Sequence, residues 1–349
     1  MMVEATVKRD IRKLKLDDLK EFFVRHGDRA FRGQQVYEWL WKKSAKDFGE
    51  MTNLSLATRE LLNQHFTINP IKVDRFQRSA DGTIKNAVTL HDGLVVESVL
   101  IPAEKRITAC VSSQVGCSLA CRFCATARLK RMRNLSADEI YDQVVVIKEQ
   151  SELFFGRPLT NIVFMGMGEP LLNYANVMAA IEKITSPQGL NMASKRLTVS
   201  TVGIAKMIMK MADDGVKFNL AVSLHSALNH VRSSIMPINE TNTLEDLADA
   251  LRYWYKKTKR KVTYEYVVWK GLNDSREHAE ALLKFCKNIP CKVNLIEYNP
   301  IDDGEFQQAD EEALTMYMDL LERHGITTRV RRSRGKDIDA ACGQLANKT

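Results

Sequence analysis

An alternation of short β-branched runs with amphipathic stretches is the feature that most constrains how this chain can fold. From Ile107 onward, six runs such as ITACVSS and KFNLAVSLH are each followed by a stretch with apolar residues at three- and four-residue steps. A seventh run, TTRVRR, closes the series. Strand–helix–strand units of this kind form parallel sheets with right-handed crossovers. The pattern predicts an α/β fold, a partial (β/α)6 barrel whose site lies at the carboxyl ends of the strands.

The region before the barrel divides into two parts. Periodic apolar residues predict helices over 16–25, 33–43 and 54–66, which form a small N-terminal helical accessory domain. Two extended runs on either side of the turn sequence HDG predict a β-hairpin. The predicted organisation is the helical accessory domain over 1–70, a β-rich bridge over 71–102 and the barrel domain over 103–349.

Composition excludes several classes of protein. The chain has 349 residues, 45% of them hydrophobic, and no apolar run approaches the roughly 18 residues that cross a bilayer. Seven cysteines in a chain of this length do not form the dense framework of a small secreted protein, which favours metal or redox chemistry. A formal charge of +8 suits a polyanionic partner such as RNA. We therefore expect a folded cytoplasmic protein without a membrane segment.

Three cysteines after the first barrel strand carry the sharpest chemical signal. Cys117, Cys121 and Cys124 follow that strand with the spacing C-x3-C-x2-C. Thiolates are soft ligands for zinc or iron–sulfur clusters, and three thiolates on a [4Fe–4S] cubane leave one iron open to a substrate. Zinc usually takes four ligands, often as paired CxxC units, and the sequence contains no second pair. The spacing favours the cluster, with a zinc site or buried structural cysteines as the alternatives.

The triad and its place in the barrel resemble the radical S-adenosylmethionine (SAM) superfamily. In that superfamily the open iron binds the amino and carboxylate groups of SAM, and an electron from the cluster cleaves the sulfonium to give a 5′-deoxyadenosyl radical. Residues at the following strand ends agree with SAM binding, because glycine permits close backbone approach and a carboxylate can accept the ammonium group of the cofactor. These candidate cofactor-binding residues are Gly168, Glu169, Ser200, Ser223, Leu224, His225 and Asn299.

Longer motifs narrow the resemblance to one family. The combination of ESVLIP, CVSSQVGC, CRFCAT, VFMGMGEPLLN, STVG, VSLH and RGKDIDAACGQL closely resembles the RlmN family of ribosomal-RNA adenine C2 methyltransferases over nearly the whole chain. The resemblance implies methylation of carbon 2 of adenine in large-subunit ribosomal RNA and in transfer RNA next to the anticodon. Two alternatives are a Cfr-type enzyme, which methylates carbon 8, and a non-catalytic zinc-stabilised RNA-binding protein.

The family also implies roles for three residues outside the triad. Cys342 accepts a methyl group from a first SAM and becomes the carrier of a ping-pong mechanism, while a second SAM generates the radical. Glu97 then removes the proton from carbon 2, and Cys110 attacks the carrier sulfur and forms a transient disulfide with Cys342. The expected partners are an electron donor such as flavodoxin and a thioredoxin-like reductant, and the expected assembly is a monomer.

Basic residues flank the proposed cavity on two sides. Because the target base must leave its stack to react, we expect the protein to hold the RNA by its phosphates. The candidate residues are Arg128, Lys130, Arg131 and Arg133 after the triad, and Arg329, Arg331, Arg332, Arg334 and Lys336 before Cys342. The N-terminal helices are expected to add a second RNA contact. Cys286 and Cys291 match no motif position and are expected to be structural.

Overall fold

The computed structural model describes residues 8–301 and 304–347 of the chain. Its strands are β1 (Arg9–Asp10), β2 (Phe66–Thr67), β3 (Lys72–Arg78), β4 (Ile84–Thr89), β5 (Val95–Ala103), β6 (Arg106–Cys110), β7 (Gln114–Val115), β8 (Arg133–Asn134), β9 (Asn161–Phe164), β10 (Leu197–Thr201), β11 (Asn219–Ser223), β12 (Val262–Val267), β13 (Cys291–Ile296) and β14 (Thr327–Arg331). Its α-helices are α1 (Leu16–Arg25), α2 (Phe31–Trp41), α3 (Leu56–His65), α4 (Ala137–Phe155), α5 (Tyr174–Thr185), α6 (Ala205–Asp213), α7 (Asn229–Ile235), α8 (Leu244–Thr258), α9 (Arg276–Cys286) and α10 (Glu311–Arg323).

One ten-stranded sheet holds both the barrel and the bridge, in the order β14-β13-β12-β11-β10-β9-β6-β5-β4-β3. The strands β6 and β9 to β14 run parallel, and helices connect each of them to the next. The predicted α/β fold, a partial barrel of six strand–helix units, is therefore confirmed. The strands β3 to β6 pair antiparallel instead, and β4 and β5 form the predicted hairpin.

The antiparallel strands bring two predicted site residues onto one face of the sheet. β5 pairs with β6, the first barrel strand, and the register sets Val99 opposite Cys110. Because alternate residues of a strand share a face, Glu97 lies on the same face as Val99 and Cys110. The sheet runs without a break from the bridge into the barrel, and the division at residues 70 and 102 stays a prediction.

The N-terminal helices are tied to α4 through a buried arginine. Arg12 Nη1 lies 2.7 Å from Asp142 Oδ2, and Arg12 Nη2 lies 3.1 and 3.3 Å from the Oδ2 atoms of Asp10 and Asp138. Burial alone would lower the pKa of Arg12, but the three carboxylates raise it overall. This buried ion cluster fixes the accessory helices against the first helix of the barrel.

Local sequence explains where α4 begins and why α2 packs closely against α1. α4 follows Ser136, whose backbone N–H donates to the Glu139 carboxylate at 2.9 Å, as the S-x-x-E spacing requires. α2 begins at Phe31 rather than at the predicted residue 33. A side chain at Gly33 would meet the backbone nitrogen of Lys20 at 2.6 Å, so glycine inside α2 lets α1 pack closely against it.

The main core lies between the sheet and its helices. Val222 of β11, Trp254 of α8 and Tyr264 of β12 are fully buried in it. A second, smaller apolar cluster contains Cys121 and Trp269, so it extends the buried interior to the predicted metal site. Across the parts of the chain that the structure describes, no helix is long and apolar enough to cross a membrane.

Candidate active site

Glu169 provides a buried carboxylate in the turn that follows β9. Its Oε1 accepts a hydrogen bond from Leu171 N–H at 3.0 Å, and its Oε2 accepts one from Val202 N–H, after β10, at 2.9 Å. Burial raises the pKa of Glu169 to about 7, although these hydrogen bonds oppose the shift. The preceding Gly168 has a φ of +90°, and a side chain there would meet Gln114 Cβ at 2.5 Å. Glycine is required at this turn, which presents the carboxylate at the strand end.

The next two strand ends hold four more predicted residues. Ser200 lies one residue before the end of β10, Ser223 ends β11, and Leu224 is fully buried beside it. His225 is also buried, with a φ of +56°, and its Nδ1 accepts a hydrogen bond from Val267 N–H at 3.2 Å. Burial lowers the pKa of His225 to about 3, so its ring is neutral at physiological pH.

The three cysteines lie on one loop, residues 116–124, which we call the cysteine loop. Cys124 N–H donates to Cys121 O at 3.1 Å, so a tight turn joins these two ligands. Cys121 is buried, and Cys117 and Cys124 are half-buried. Burial raises the pKa of all three thiols, and the charge of Cys124 raises the pKa of Cys117 and of Cys121 further. The three thiolates repel one another unless a positive group lies between them.

The cysteine loop fits a [4Fe–4S] cluster by the chemistry of its donors. Thiols that are costly to ionise on their own become ligands when metal ions replace their protons. In residues 8–301 and 304–347, no three or more His, Cys, Asp or Glu side chains form a group that could bind a single metal ion. The thiolates of a cubane bind separate irons and therefore stand apart around the cluster.

Phe123 anchors the cysteine loop to the barrel, a role that the sequence analysis missed. Its ring lies 4.8 Å from the ring of His225 and 5.2 Å from that of Trp269, measured between centroids. The contacts connect the loop to the ends of β11 and β12. In the sequence, these ring contacts are indicated only by the presence of an aromatic residue, Phe123, between the second and third cysteines.

Asn299 joins the end of β13 to the C-terminal tail, residues 340–347. Its Nδ2 donates to Cys342 O at 3.1 Å, whereas its buried Oδ1 has no hydrogen-bond partner among the residues that the structure describes. Buried polar atoms are normally hydrogen-bonded, so an unpaired one indicates a position where a water or a ligand can bind. The unpaired oxygen can accept a hydrogen bond from an amino or hydroxyl group of a ligand.

Cys110 and Cys342 share one cation, Arg331. Cys110 is buried at the end of β6, Cys342 is exposed on the tail, and both are free thiols. Burial raises the pKa of Cys110 to about 12; Cys342 adds to this shift and Arg331 opposes it. The charges of Cys342, Glu265 and Cys110 raise the pKa of Arg331, whose Nη1 lies 3.6 Å from Glu265 Oε2. Arg331 thus lies beside a buried carboxylate, and its expected contact with an RNA phosphate stays a prediction.

Glu97 is buried on β5, and the tail covers its carboxylate. Its Oε2 accepts hydrogen bonds from Ala346 N–H at 2.8 Å and from Asn347 N–H at 3.1 Å. Its Oε1 lies 3.3 Å from Lys85 Nζ, and both side chains are at most 5% exposed. Lys85 was missed by the sequence analysis, although a lysine inside the apolar strand TIKNAV was a usable signal.

Two of the expected RNA-binding residues, Arg133 and Arg332, form ion pairs, and the two pairs differ in how far their side chains are exposed to solvent. Arg133 Nε lies 2.6 Å from Asp92 Oδ2, and Arg133 Nη1 lies 2.8 Å from the buried Glu139. Arg332 Nη1 lies 2.8 Å from Glu311 Oε1, and both of these side chains are more than half exposed. Exposed pairs contribute little stability, so Arg332 can exchange its partner for a phosphate more readily than Arg133.

Known proteins share this fold. The family described as "Radical SAM superfamily" matches residues 111–286, and that described as "Ribosomal RNA large subunit methyltransferase N-terminal domain" matches residues 9–68. The crystal structure of a radical SAM methyltransferase from Sphaerobacter thermophilus superposes with a TM-score of 0.92 at 38% identity, over 97% of this chain and 100% of that one. The fold and the site define a radical SAM enzyme.

Two curated relatives narrow the class. A protein of Christiangramia forsetii is 69% identical over 98% of this chain and 97% of its own, and one of Flavobacterium psychrophilum is 67% identical over 98% of each. Both are named "Probable dual-specificity RNA methyltransferase RlmN". The chain belongs to the RlmN family. The predicted family and the predicted methyltransferase class are confirmed, and the superfamily implies a [4Fe–4S] cluster and SAM. The comparisons favour neither the Cfr-type enzyme nor the zinc-stabilised protein.

Proposed function

We propose that the chain is a dual-specificity RNA methyltransferase that methylates carbon 2 of adenine in large-subunit ribosomal RNA and in transfer RNA. One observation carries the proposal: the tail with Cys342 is hydrogen-bonded to the segment that follows the cysteine loop. Ala125 N–H donates to Gly343 O at 2.7 Å, and Thr126 Oγ1 donates to Leu345 O at 2.6 Å. A carrier thiol next to the cluster ligands supports methyl transfer by way of the protein.

The target atom explains why a carrier is needed. Carbon 2 of adenine lies between two ring nitrogens and is electron-poor, so it does not attack a sulfonium methyl group as a nucleophile. Cys117, Cys121 and Cys124 would hold the cluster, and Glu169 and Asn299 would bind polar groups of SAM. When bound, the cluster and SAM supply a methyl group and a 5′-deoxyadenosyl radical.

Cys342 is the residue that receives the methyl group. A thiolate is the nucleophilic form of cysteine, and the charge of Cys342 is the largest cause of the raised pKa of Arg331. The exposure of Cys342 lets it meet both SAM and RNA. Each turnover then consumes two molecules of SAM, one for the carrier and one for the radical.

Release of the product needs a base and a second thiol. Glu97 would accept the proton of carbon 2 after the odd-electron adduct has returned one electron to the cluster. Cys110 would then attack the sulfur of Cys342, so that a disulfide forms, the carbon–sulfur bond breaks, and the transferred carbon takes up a proton to become the methyl group. A thioredoxin-like reductant restores both thiols, because disulfides in the cytoplasm are transient. An electron donor such as flavodoxin reduces the cluster, and we expect a monomeric, cytoplasmic enzyme.

The contacts of Glu97 indicate the order of these steps. Its Oε2 accepts hydrogen bonds from the N–H groups of Ala346 and Asn347, so the tail must leave before a substrate can contact that oxygen. Lys85 stays beside Oε1 as the counter-charge. One movement of the tail would free the base and carry Cys342 toward the substrate.

Product analysis tests the proposal. Transcripts of a ribosomal RNA fragment and of a transfer RNA are treated with oxygen-free, reconstituted enzyme and digested to nucleosides for mass spectrometry against synthetic standards. We expect 2-methyladenosine from both transcripts and none from matched transcripts in which guanine replaces the target adenine. A main product of 8-methyladenosine would support the Cfr-type enzyme, and zinc in place of iron in the purified protein would support the zinc-stabilised alternative.

A further inference from the structure

Arg232 is a fully buried cation whose hydrogen-bond acceptors are all neutral. Its Nε donates to Leu224 O at 3.1 Å, its Nη1 donates to Asn239 Oδ1 at 2.8 Å, and its Nη2 donates to the carbonyl groups of Val202 and Ser223. Throughout the described chain, no Asp or Glu contributes to the electrostatics of this guanidinium. Each nitrogen of the guanidinium therefore has a hydrogen-bond acceptor, but its charge has no carboxylate partner within the described residues.

Arg12, which is also buried, differs from Arg232 in its ion-pair partners. Arg12 has three carboxylate partners, which raise its pKa against the effect of burial. Burial lowers the pKa of Arg232 to about 10, and only the charge of Cys121 opposes this shift. Buried charges are normally paired, because an isolated one is destabilising. Among the residues that the structure describes, the counter-charge of Arg232 is thus supplied by Cys121 of the cysteine loop.

The helix that carries Arg232 contacts the cysteine loop directly. Arg122 N–H donates to Ile235 O at 3.0 Å, and Arg122 Nη1 donates to Ser234 O at 2.9 Å. Cys121 and Ile235 belong to the same apolar cluster. Arg232 therefore lies between the loop and the carbonyl groups that end β10 and β11, where water does not screen its charge.

We propose that Arg232 is a positioning residue that holds the strand ends of the SAM site and acts as the counter-cation of the cluster. The inference rests on the proposed binding of the cluster by Cys117, Cys121 and Cys124. Reduction by one electron adds a negative charge to the cluster, and a buried cation nearby stabilises the reduced form more than the oxidised form. The charge of Arg232 thereby raises the reduction potential.

An anaerobic redox titration of the reconstituted protein, followed by electron paramagnetic resonance, tests the inference. Arg232→Gln removes the charge, Asn239→Asp supplies the missing carboxylate in an isosteric side chain, and Arg232→Lys keeps the charge. Lys206→Gln removes an exposed charge from the neighbouring α6 as the matched control. We expect the first two variants to lower the equilibrium constant for reduction at least about tenfold, a fall of about 59 mV for one electron. Arg232→Lys and Lys206→Gln should stay close to the wild type.

Two results would overturn this role. One is a potential that Asn239→Asp leaves unchanged, which is decisive even if Arg232→Gln does not fold. The other is an equal shift in Arg232→Gln and Arg232→Lys, because hydrogen bonding alone would then explain the effect. Iron content and absorbance of the wild type are measured first, since a wild type without a cluster contradicts the proposed function and not the role of Arg232.

Discussion

The cysteine loop and the C-terminal tail lie side by side, but different kinds of contact hold them. The loop is held by groups that the proposed chemistry leaves in place: Arg122 N–H binds Ile235 O, and the Phe123 ring packs on His225 and Trp269. No step of the proposed reaction requires these contacts to break. The half of the site that generates the radical is thus arranged before the substrate arrives.

The tail is held in part by non-reacting residues such as Ala125 and Thr126, and in part by residues that must take part in the reaction. Glu97, the proposed base, binds the N–H groups of Ala346 and Asn347, and Asn299, a proposed SAM ligand, binds the carbonyl group of Cys342. Binding of substrate or cofactor must compete with these contacts. The comparison teaches that the radical source is rigid, whereas the methyl carrier is docked reversibly and is released by the groups that use it.

The largest expected effect comes from removing a proposed cluster ligand from the cysteine loop. Cys121→Ala deletes one of three thiolates, so we expect iron and sulfide to fall to background and methylated adenosine to disappear. Metal analysis and nucleoside mass spectrometry measure both losses. Cys286→Ala is the matched control, because it removes another buried thiol, at the end of α9. Full iron loading of Cys121→Ala would refute the assignment of this ligand.

The second prediction concerns release from the carrier. Cys110→Ala keeps the cluster ligands but removes the thiol that attacks the sulfur of Cys342, so turnover stops after the methyl carbon has joined the RNA. We expect a covalent enzyme–RNA adduct that survives denaturing gel electrophoresis, and multiple turnover reduced at least roughly 100-fold. Cys291→Ala should form no adduct. Normal turnover of Cys110→Ala without an adduct would exclude Cys110 from the mechanism. It would also argue against the proposal that the tail carries the methyl group and is released during the reaction.

The two halves also differ in how far the sequence predicts them. The three cysteines lie within eight residues, and the strand ends recur with the βα period, so spacing alone indicates the rigid half and the barrel around it. The contact between Glu97 and Ala346 joins residues 249 positions apart and uses a backbone N–H, which leaves no trace in residue type. Arg232 is equally hidden, since the absence of a carboxylate partner is a property of the folded chain.

The smallest expected effect loosens a single anchor between the two halves. Thr126→Val keeps the shape of the side chain but removes the hydroxyl that donates to Leu345 O at 2.6 Å. A lost hydrogen bond of this kind costs about 1 kcal/mol, so the tail should open about fivefold more often while the cysteine loop stays closed. Amide hydrogen exchange at Ala346 and Asn347 would then quicken about fivefold. Thr241→Val, which removes an exposed hydroxyl bonded to Ile238 O at 3.2 Å, is the control. Equal quickening in both segments of Thr126→Val would mean that the loop and the tail move as one body, and the distinction between a rigid source and a docked carrier would be wrong.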